Sequence, residues 1–183
     1  ASGLSGGSLG PRHHAPGALP IAPGARANVL RDWRCAVAEI VLFHHIQGLT
    51  PGVVAFADHL REAGHVVHTP DLFAGETFAS IEAGFGYAKE VSFDTLMERA
   101  IHAVTALPAE MVFGGFSMGV MPAQRLAQTR PGARGALLFH AAVDPAEFGA
   151  WPAGVPVQVH SMEDDPYFEA GDLAAAKAVV AQA

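Results

Sequence analysis

Short apolar segments alternate with helical patterns along the chain from residue 38 onward. The first segment, residues 40–43, is continuously apolar, which is typical of a strand covered on both faces. Four further strands are predicted, at residues 65–69, 110–116, 136–140 and 155–160. Strands that alternate with helices form parallel sheets, so we expect an α/β fold with a mostly parallel sheet in a three-layer αβα sandwich.

Helices are predicted where apolar residues recur every three or four positions and where the flanking residues can begin or end a helix. Thr50 and Pro51 provide an N-cap and a first-turn proline, and Gly64 ends the same helix. The predicted helices are residues 50–64, 93–107, 118–128 and 172–183. Residues 74–91 remain ambiguous because Gly84 and Gly86 lower the helix propensity there.

Composition limits the classes of protein to consider. Half of the 183 residues are hydrophobic and 16% are charged, which indicates one globular domain. The net charge of −7 and the lack of a basic stripe argue against nucleic acid as a partner. A single cysteine, Cys35, fits a reducing compartment, so a cytoplasmic protein is expected. No apolar run approaches the roughly 20 residues of a membrane span, and no segment matches the phosphate-binding glycine motifs.

The first part of the chain differs from the rest. Residues 1–31 contain three arginines, no acidic residue and many Gly, Ser and Pro residues. This composition favours a disordered or non-native extension over a targeting segment. We therefore divide the chain into residues 1–37, an extension, and residues 38–183, the folded domain.

Gly115-Phe116-Ser117-Met118-Gly119 matches the G-x-S-x-G motif of a nucleophile elbow. A predicted strand leads into it and a predicted helix follows, as the chemistry requires. The serine must sit at a sharp turn above the carboxyl edge of the sheet, and the glycines let the backbone pass closely. A glycine-rich turn with an incidental serine is the alternative, and the flanking elements favour Ser117 as the nucleophile.

A serine nucleophile needs a base and an orienting acid. In this type of fold the order along the chain is nucleophile, acid, histidine. Asp165 follows the fifth predicted strand and is the expected acid, with Asp164 and Glu163 as alternatives. No histidine follows His160, so the usual base position is expected to be missing from this chain.

Other histidines could lie near the serine. His45 and His140 each follow a predicted strand on the edge where Ser117 should project, and we expect both to line the pocket rather than act as bases. His44 should point away from His45 and be buried. His65 and His68 would face opposite sides of a strand, so no metal site is predicted.

Three segments together resemble the dienelactone hydrolase family. They are His44-His45-Ile46-Gln47-Gly48-Leu49-Thr50-Pro51-Gly52, the Pro70-Asp71-Leu72-Phe73 turn and the elbow, and the segment from Met162 to Phe168 strengthens the match. The resemblance implies an α/β-hydrolase domain without a cofactor that hydrolyses an ester or lactone. It also implies that the domain lacks its last strand and helix, and that this chain is a fragment or a truncated product.

The resemblance assigns further roles. The oxyanion donors would be the backbone N–H groups of Met118 and Ile46. Ser117 occupies a position where well-known members have cysteine, and His45 one where they have glutamate. A serine esterase is therefore a better expectation than an enzyme for dienelactone itself.

Two functions follow from these features. The first is a serine hydrolase that forms an acyl-enzyme with a small ester or lactone. The second is an inactive hydrolase-fold protein that binds a ligand or partner. An unpaired sheet edge would also allow a homodimer.

Overall fold

The computed structural model describes residues 37–183, so the predicted extension over residues 1–37 lies outside the described residues apart from Val37. The described part contains five strands: β1 (Glu39–Phe43), β2 (Val66–His68), β3 (Met111–Phe116), β4 (Ala133–Phe139) and β5 (Val157–His160). They form one sheet in the order β2-β1-β3-β4-β5. Every pair is parallel, as the alternation of strands and helices predicts.

Five α-helices connect or follow these strands: α1 (Pro51–Glu62), α2 (Ile81–Val91), α3 (Phe93–Ala103), α4 (Val120–Thr129) and α5 (Ala170–Gln182). Two 3₁₀ turns, Ser117–Gly119 and Pro145–Glu147, complete the regular structure of residues 37–183. None of the helices in residues 37–183 is long and apolar enough to cross a membrane.

The sheet is covered by helices on both faces, because alternate strand residues point in opposite directions. On β1, Ile40 and Leu42 pack with Val53 and Ala57 of α1. Val41 and Phe43 face the other side, which the larger apolar cluster fills with side chains from α2, α3, α4 and α5. The result is the predicted αβα sandwich with a parallel sheet buried between its helices.

The structure differs from the predictions mainly at element boundaries. β4 begins at Ala133, three residues earlier than predicted, and the segment left ambiguous contains α2. The helix after Thr50 begins at Pro51 as expected, but the Thr50 side chain does not cap it. The Thr50 hydroxyl instead lies 3.1 Å from Nε2 of His45, so this residue supports the neighbouring loop.

Candidate active site

Ser117 lies at the carboxyl end of the central strand, where the chain turns sharply. β3 ends at Phe116, a 3₁₀ turn begins at Ser117, and α4 follows directly. The backbone of Ser117 has φ +48°, a left-handed conformation that costs a non-glycine residue on the order of 1 kcal/mol. Such strain is expected of a nucleophile held above the sheet.

The two glycines of the motif allow this turn by their lack of a side chain. A Cβ on Gly119 would lie 2.5 Å from the Phe43 carbonyl oxygen, and one on Gly115 would overlap the Gly119 carbonyl. Real Cβ atoms do not approach backbone atoms so closely. The G-x-S-x-G pattern is therefore required by contacts of the elbow with itself and with the end of β1.

The loop after β1 is held by two histidine rings. His44 is fully buried; its Nδ1 donates to the His45 carbonyl at 2.8 Å, and its Nε2 accepts from the Leu72 N–H at 3.0 Å. Burial is the main cause that lowers the pKa of His44. The ring is thus a neutral structural group that ties the loop to the Pro70–Phe73 turn, in agreement with its predicted burial.

His45 also has both ring nitrogens engaged. Its Nδ1 accepts from the Gln47 N–H at 3.1 Å, so Nε2 is the protonated nitrogen, and it donates to the Thr50 hydroxyl. Burial, and next the neighbouring His44, lowers the pKa of His45. A ring fixed in this way shapes the loop and cannot easily accept a proton.

The same loop presents Ile46 to the cavity beside Ser117. The Ile46 N–H donates to none of the described residues, whereas the loop around it is fixed. The Gly48 N–H donates to the His45 carbonyl, and the Phe78 N–H donates to that of Gln47. An amide that is free but rigidly held is suited to stabilise an oxyanion.

His140 and Asp165 form a hydrogen-bonded pair at the same edge of the sheet. His140 follows β4, with φ +61°, and its Nδ1 lies 2.9 Å from Oδ2 of Asp165. The other carboxylate oxygen accepts from the Tyr167 N–H at 2.9 Å. That amide, and next the His140 side chain, lowers the pKa of Asp165, so Asp165 is a carboxylate at neutral pH.

One cavity of about 500 Å³ contains most of these groups. Its polar lining consists of side chains from the segments that follow four strands, β1, β3, β4 and β5: His45, Gln47, Ser117, His140, Asp165 and Glu169. Its other walls are the apolar or aromatic residues Ile46, Ile81, Phe85, Phe116 and Tyr167. A serine at a sharp turn, a histidine–carboxylate pair and an apolar wall thus share one space at the carboxyl edge of a parallel sheet.

A sequence model of the dienelactone hydrolase family matches residues 28–183. This chain belongs to the dienelactone hydrolase family. The match covers the whole described domain and begins ten residues before the boundary predicted from the sequence pattern. None of the curated proteins matches the chain.

Solved structures agree with this family at the level of the fold. A dienelactone hydrolase-like promiscuous phosphotriesterase from metagenomic libraries superposes with a TM-score of 0.56 at 22% identity, over 75% of this chain and 62% of that one. A protein from Klebsiella pneumoniae subsp. pneumoniae, described as a candidate dienelactone hydrolase, gives a TM-score of 0.56 at 13% identity, over 81% and 71%. The chain therefore spans less than two thirds of the length of the first of these relatives.

A third similar structure is that of a protein of the α/β-hydrolase superfamily. It is a candidate hydrolase of the α/β superfamily from Xanthomonas campestris pv. campestris, with a TM-score of 0.51 at 24% identity, over 78% of this chain and 82% of that one. The fold of this dienelactone hydrolase family member is thus an α/β-hydrolase fold.

The structure brings five of the six residues predicted for the site to one cavity: Ser117, Asp165, Ile46, His45 and His140. The sixth, Met118, directs its side chain to a small apolar pocket near Leu72 and Leu96. This placement suits the predicted role of Met118, because that role uses only the backbone N–H at the start of the turn. Glu163 and Asp164, the alternative acids, are exposed and do not line the cavity.

Sequence reasoning did not find Gln47, Tyr167 and Glu169 as lining residues, nor Ile81 and Phe85 of α2. Gln47 directly follows Ile46, and Tyr167 lies two residues after Asp165, so closeness in sequence to predicted residues was a usable signal. The α2 residues were missed because that segment had no assigned element, although Ser80, whose hydroxyl accepts from the Ala83 N–H, was a local signal for the start of a helix.

α4 also fixes the segment that follows β4 through two buried glutamines. The Gln124 side chain accepts from the Val143 N–H at 3.0 Å and donates to the Val143 carbonyl at 2.6 Å. Gln128 donates to the carbonyls of Pro145 and Gly149. The helix that begins just after Ser117 therefore holds the segment that begins just after His140.

His65 and His68 do not line this cavity and have structural partners at the start of β1. The His65 Nδ1 accepts from the Ala38 N–H, and His68 Nε2 lies 2.8 Å from a Glu39 oxygen. Across residues 37–183, no group of three or more His, Cys, Asp or Glu side chains is arranged to hold a metal ion.

Proposed function

We propose that this chain is a serine hydrolase that cleaves a carboxylic ester or lactone through an acyl-enzyme on Ser117. The observation that carries the proposal is the strained Ser117 backbone at the elbow, with φ +48°, on a cavity that also contains a histidine–carboxylate pair. Left-handed strain at a non-glycine residue is concentrated at functional sites.

The proposed reaction has two steps. The Ser117 Oγ attacks the substrate carbonyl carbon, and its proton moves to a base, while the Ile46 and Met118 N–H groups stabilise the oxyanion. The leaving alcohol takes the proton, and the acyl group stays on Ser117. Water then attacks the acyl-enzyme and releases the acid, and Ser117 regains its proton.

The walls of the cavity favour an apolar acyl or alcohol group. Ile81, Phe85 and Phe116 line one part of it, and apolar side chains of this kind bury a hydrophobic substrate portion. We therefore expect short-chain and aryl esters to be better substrates than polar ones of the same size.

Covalent labelling tests this function directly. A fluorophosphonate probe should modify the unaltered chain at Ser117, because serine attack on phosphorus expels fluoride. Ser117→Ala should remove the label, and Ser161→Ala is the matched control, since Ser161 is an exposed serine at the end of β5. Mass spectrometry of the labelled peptide identifies the site.

Binding without catalysis is the alternative function that the sequence analysis left open. Labelling that is absent, or equal in the unaltered chain and Ser117→Ala, would support this second function and contradict the first.

A further inference from the structure

We propose that Gln47 is a positioning residue, which orients the Ile46 N–H, the proposed oxyanion donor, through a chain of hydrogen bonds that begins at Phe78. The inference rests on the proposed function and adds to it the side chain that fixes the donor. Gln47 directly follows Ile46 in the loop after β1 and lines the same cavity as Ser117. A donor that is already oriented stabilises an oxyanion more than one that must turn during the reaction.

The N–H groups of the oxyanion loop, residues 46–48, differ in their partners. The Gln47 N–H donates to Nδ1 of His45 at 3.1 Å, and the Gly48 N–H donates to the His45 carbonyl at 3.0 Å. The Ile46 N–H has no acceptor among the described residues. Ile46 is therefore the residue of this loop whose amide remains available to a substrate oxygen.

The direction of the Ile46 N–H is set by the far end of its own peptide unit. That unit is planar and its other end is the His45 carbonyl, so a bond that fixes this carbonyl also fixes the amide. The carbonyl accepts from the Gly48 N–H. The Gly48 N–H belongs in turn to a peptide unit whose carbonyl, that of Gln47, accepts from the Phe78 N–H at 2.9 Å. A chain of hydrogen bonds thus runs from Phe78 through two peptide units to Ile46.

The Gln47 side chain holds this chain of bonds at its start. Its Nε2 donates to the Phe78 carbonyl at 3.2 Å, so the side chain and the main chain of Gln47 bond to one residue. The Phe78 ring packs against those of Phe73 and Tyr87, with centroids 6.0 and 5.2 Å away. Because aligned hydrogen bonds polarise one another, the chain both orients the Ile46 N–H and strengthens it as a donor.

Close packing limits translation of the oxyanion loop but not rotation of its peptide units. A Cβ on Gly48 would overlap the Glu76 carbonyl, and one on Gly84 would overlap the Ile46 carbonyl. The loop therefore lies directly on residues 76–84. The bonds of Gln47 to Phe78 add what packing alone does not supply, a fixed orientation of each peptide unit.

A residue in this role affects the transition state and not the initial binding of substrate. The oxyanion exists only after Ser117 has attacked, so a misdirected Ile46 N–H slows the reaction while the ground-state complex keeps its affinity. A residue that contacted the substrate directly would change its affinity as well. The geometry favours positioning, because Nε2 of Gln47 is already bonded to Phe78.

The test follows fluorophosphonate labelling of Ser117 in the unaltered chain, Gln47→Met and Gln158→Met. Methionine is unbranched like glutamine but has no N–H donor. Gln158 is an exposed residue of β5 that does not line the cavity, so it provides the same substitution as a control. We expect the maximal labelling rate of Gln47→Met to fall about 10- to 100-fold, with the half-saturating probe concentration changed by less than about twofold. Gln158→Met should label as the unaltered chain does.

Phenyl trifluoromethyl ketone provides a second measurement that reports on the oxyanion itself. Ser117 Oγ adds to its carbonyl carbon, the serine proton passes to the base, and an anionic oxygen remains on the adduct. Protection against labelling gives the affinity of each chain for the ketone. Gln47→Met should bind it about tenfold or more weakly, because the adduct resembles the transition state.

The outcomes separate the two proposals. If the unaltered chain labels at Ser117 and Gln47→Met labels at the same maximal rate, Ser117 is the nucleophile but Gln47 does not position the donor. A slow Gln47→Met that binds the ketone unchanged, or one whose half-saturating concentration rises in proportion, also overturns the inference. If the unaltered chain does not label at Ser117, the proposed function itself is wrong. Should Gln47→Met not fold, as judged by circular dichroism, Gln47→Asn decides, since its amide is one methylene closer to the backbone and it should label slowly for the same reason.

Discussion

At the scale of single residues, the histidines of this chain differ in what their ring nitrogens contact. His44 and His45 use both nitrogens to fix a loop, and burial lowers the pKa of each. His140 uses one nitrogen and leaves the other toward a cavity. Hydrogen-bond partners thus separate the two rings that fix the loop from the ring that keeps one nitrogen without a partner among the described residues.

Burial of His44 predicts a pH-dependent stability. The folded state keeps this ring neutral, whereas the ring in the unfolded chain takes up a proton near the ordinary histidine pKa of 6.5. Folding stability from this ring is therefore present above pH 6.5 and decreases as the pH falls below it. At pH 7.5, His44→Gln should be less stable than the unaltered chain by about 1–3 kcal/mol, because the buried groups that bond to His44 lose those bonds. Between pH 7.5 and pH 5.5, it should lose less stability than the unaltered chain does.

Urea unfolding at the two pH values measures this difference. His59→Gln is the control, because the His59 side chain is 78% exposed and should change neither the stability nor its pH dependence. Parallel losses of stability in the unaltered chain and His44→Gln would show that His44 is not responsible.

At the scale of elements, the sequence of α2 does not indicate how closely this helix packs against the loop after β1. Gly84 and Gly86 both lower helix propensity, but they differ in their surroundings. A Cβ on Gly84 would overlap the Ile46 carbonyl, whereas a Cβ on Gly86 would meet nothing within 4 Å. Gly84 lets the helix lie directly against the loop that carries the proposed oxyanion donor.

Alanine substitutions at these two glycines therefore form a matched pair of variants. Gly84→Ala should destabilise the protein by about 2 kcal/mol, because the helix or the loop must move. It should also slow labelling of Ser117, since Ile46 would be displaced. Gly86→Ala should stabilise the protein by about 0.5–1 kcal/mol, as expected in an open helix interior.

Urea unfolding and labelling rates of the two variants give the result. Equal effects of Gly84→Ala and Gly86→Ala on stability would mean that helix propensity alone, and not the contact with Ile46, sets the behaviour of α2.

The same element shows where sequence reasoning succeeds and where it stops. The strands and the elbow are local patterns, so the apolar run at 40–43 and the motif around Ser117 were enough to place them. In α2, Gly84 packs against a loop almost forty residues earlier, and this long-range contact cannot be read from local helix propensity. The bond between His140 and Asp165 joins residues 25 positions apart and depends on a left-handed turn at His140, so no local pattern predicted it.

At the scale of the whole molecule, the sheet order predicts a gradient of stability. β3 pairs with β1 and β4, whereas β2 and β5 each pair with one strand among the described residues. Hydrogen exchange should therefore be slowest in β3, and at least about tenfold faster in β2 and β5, because edge strands open without global unfolding.

Exchange measured by NMR or mass spectrometry at two protein concentrations also tests the homodimer that the sequence left open. Protection of β5 equal to that of β3 would contradict the gradient. If such protection increased with protein concentration, it would indicate that the edge pairs with a second copy of the chain.

The buried glutamines of α4 have a consequence for motion. Gln124 and Gln128 bond to the chain segment after His140, and the same helix begins beside Ser117. We expect thermal displacement of α4 to move Ser117 and the segment after His140 together, and to change the distance between them less than the distance from either to α2. We therefore expect this side of the cavity to stay fixed, and α2, which carries Ile81 and Phe85, to adapt to substrates of different size.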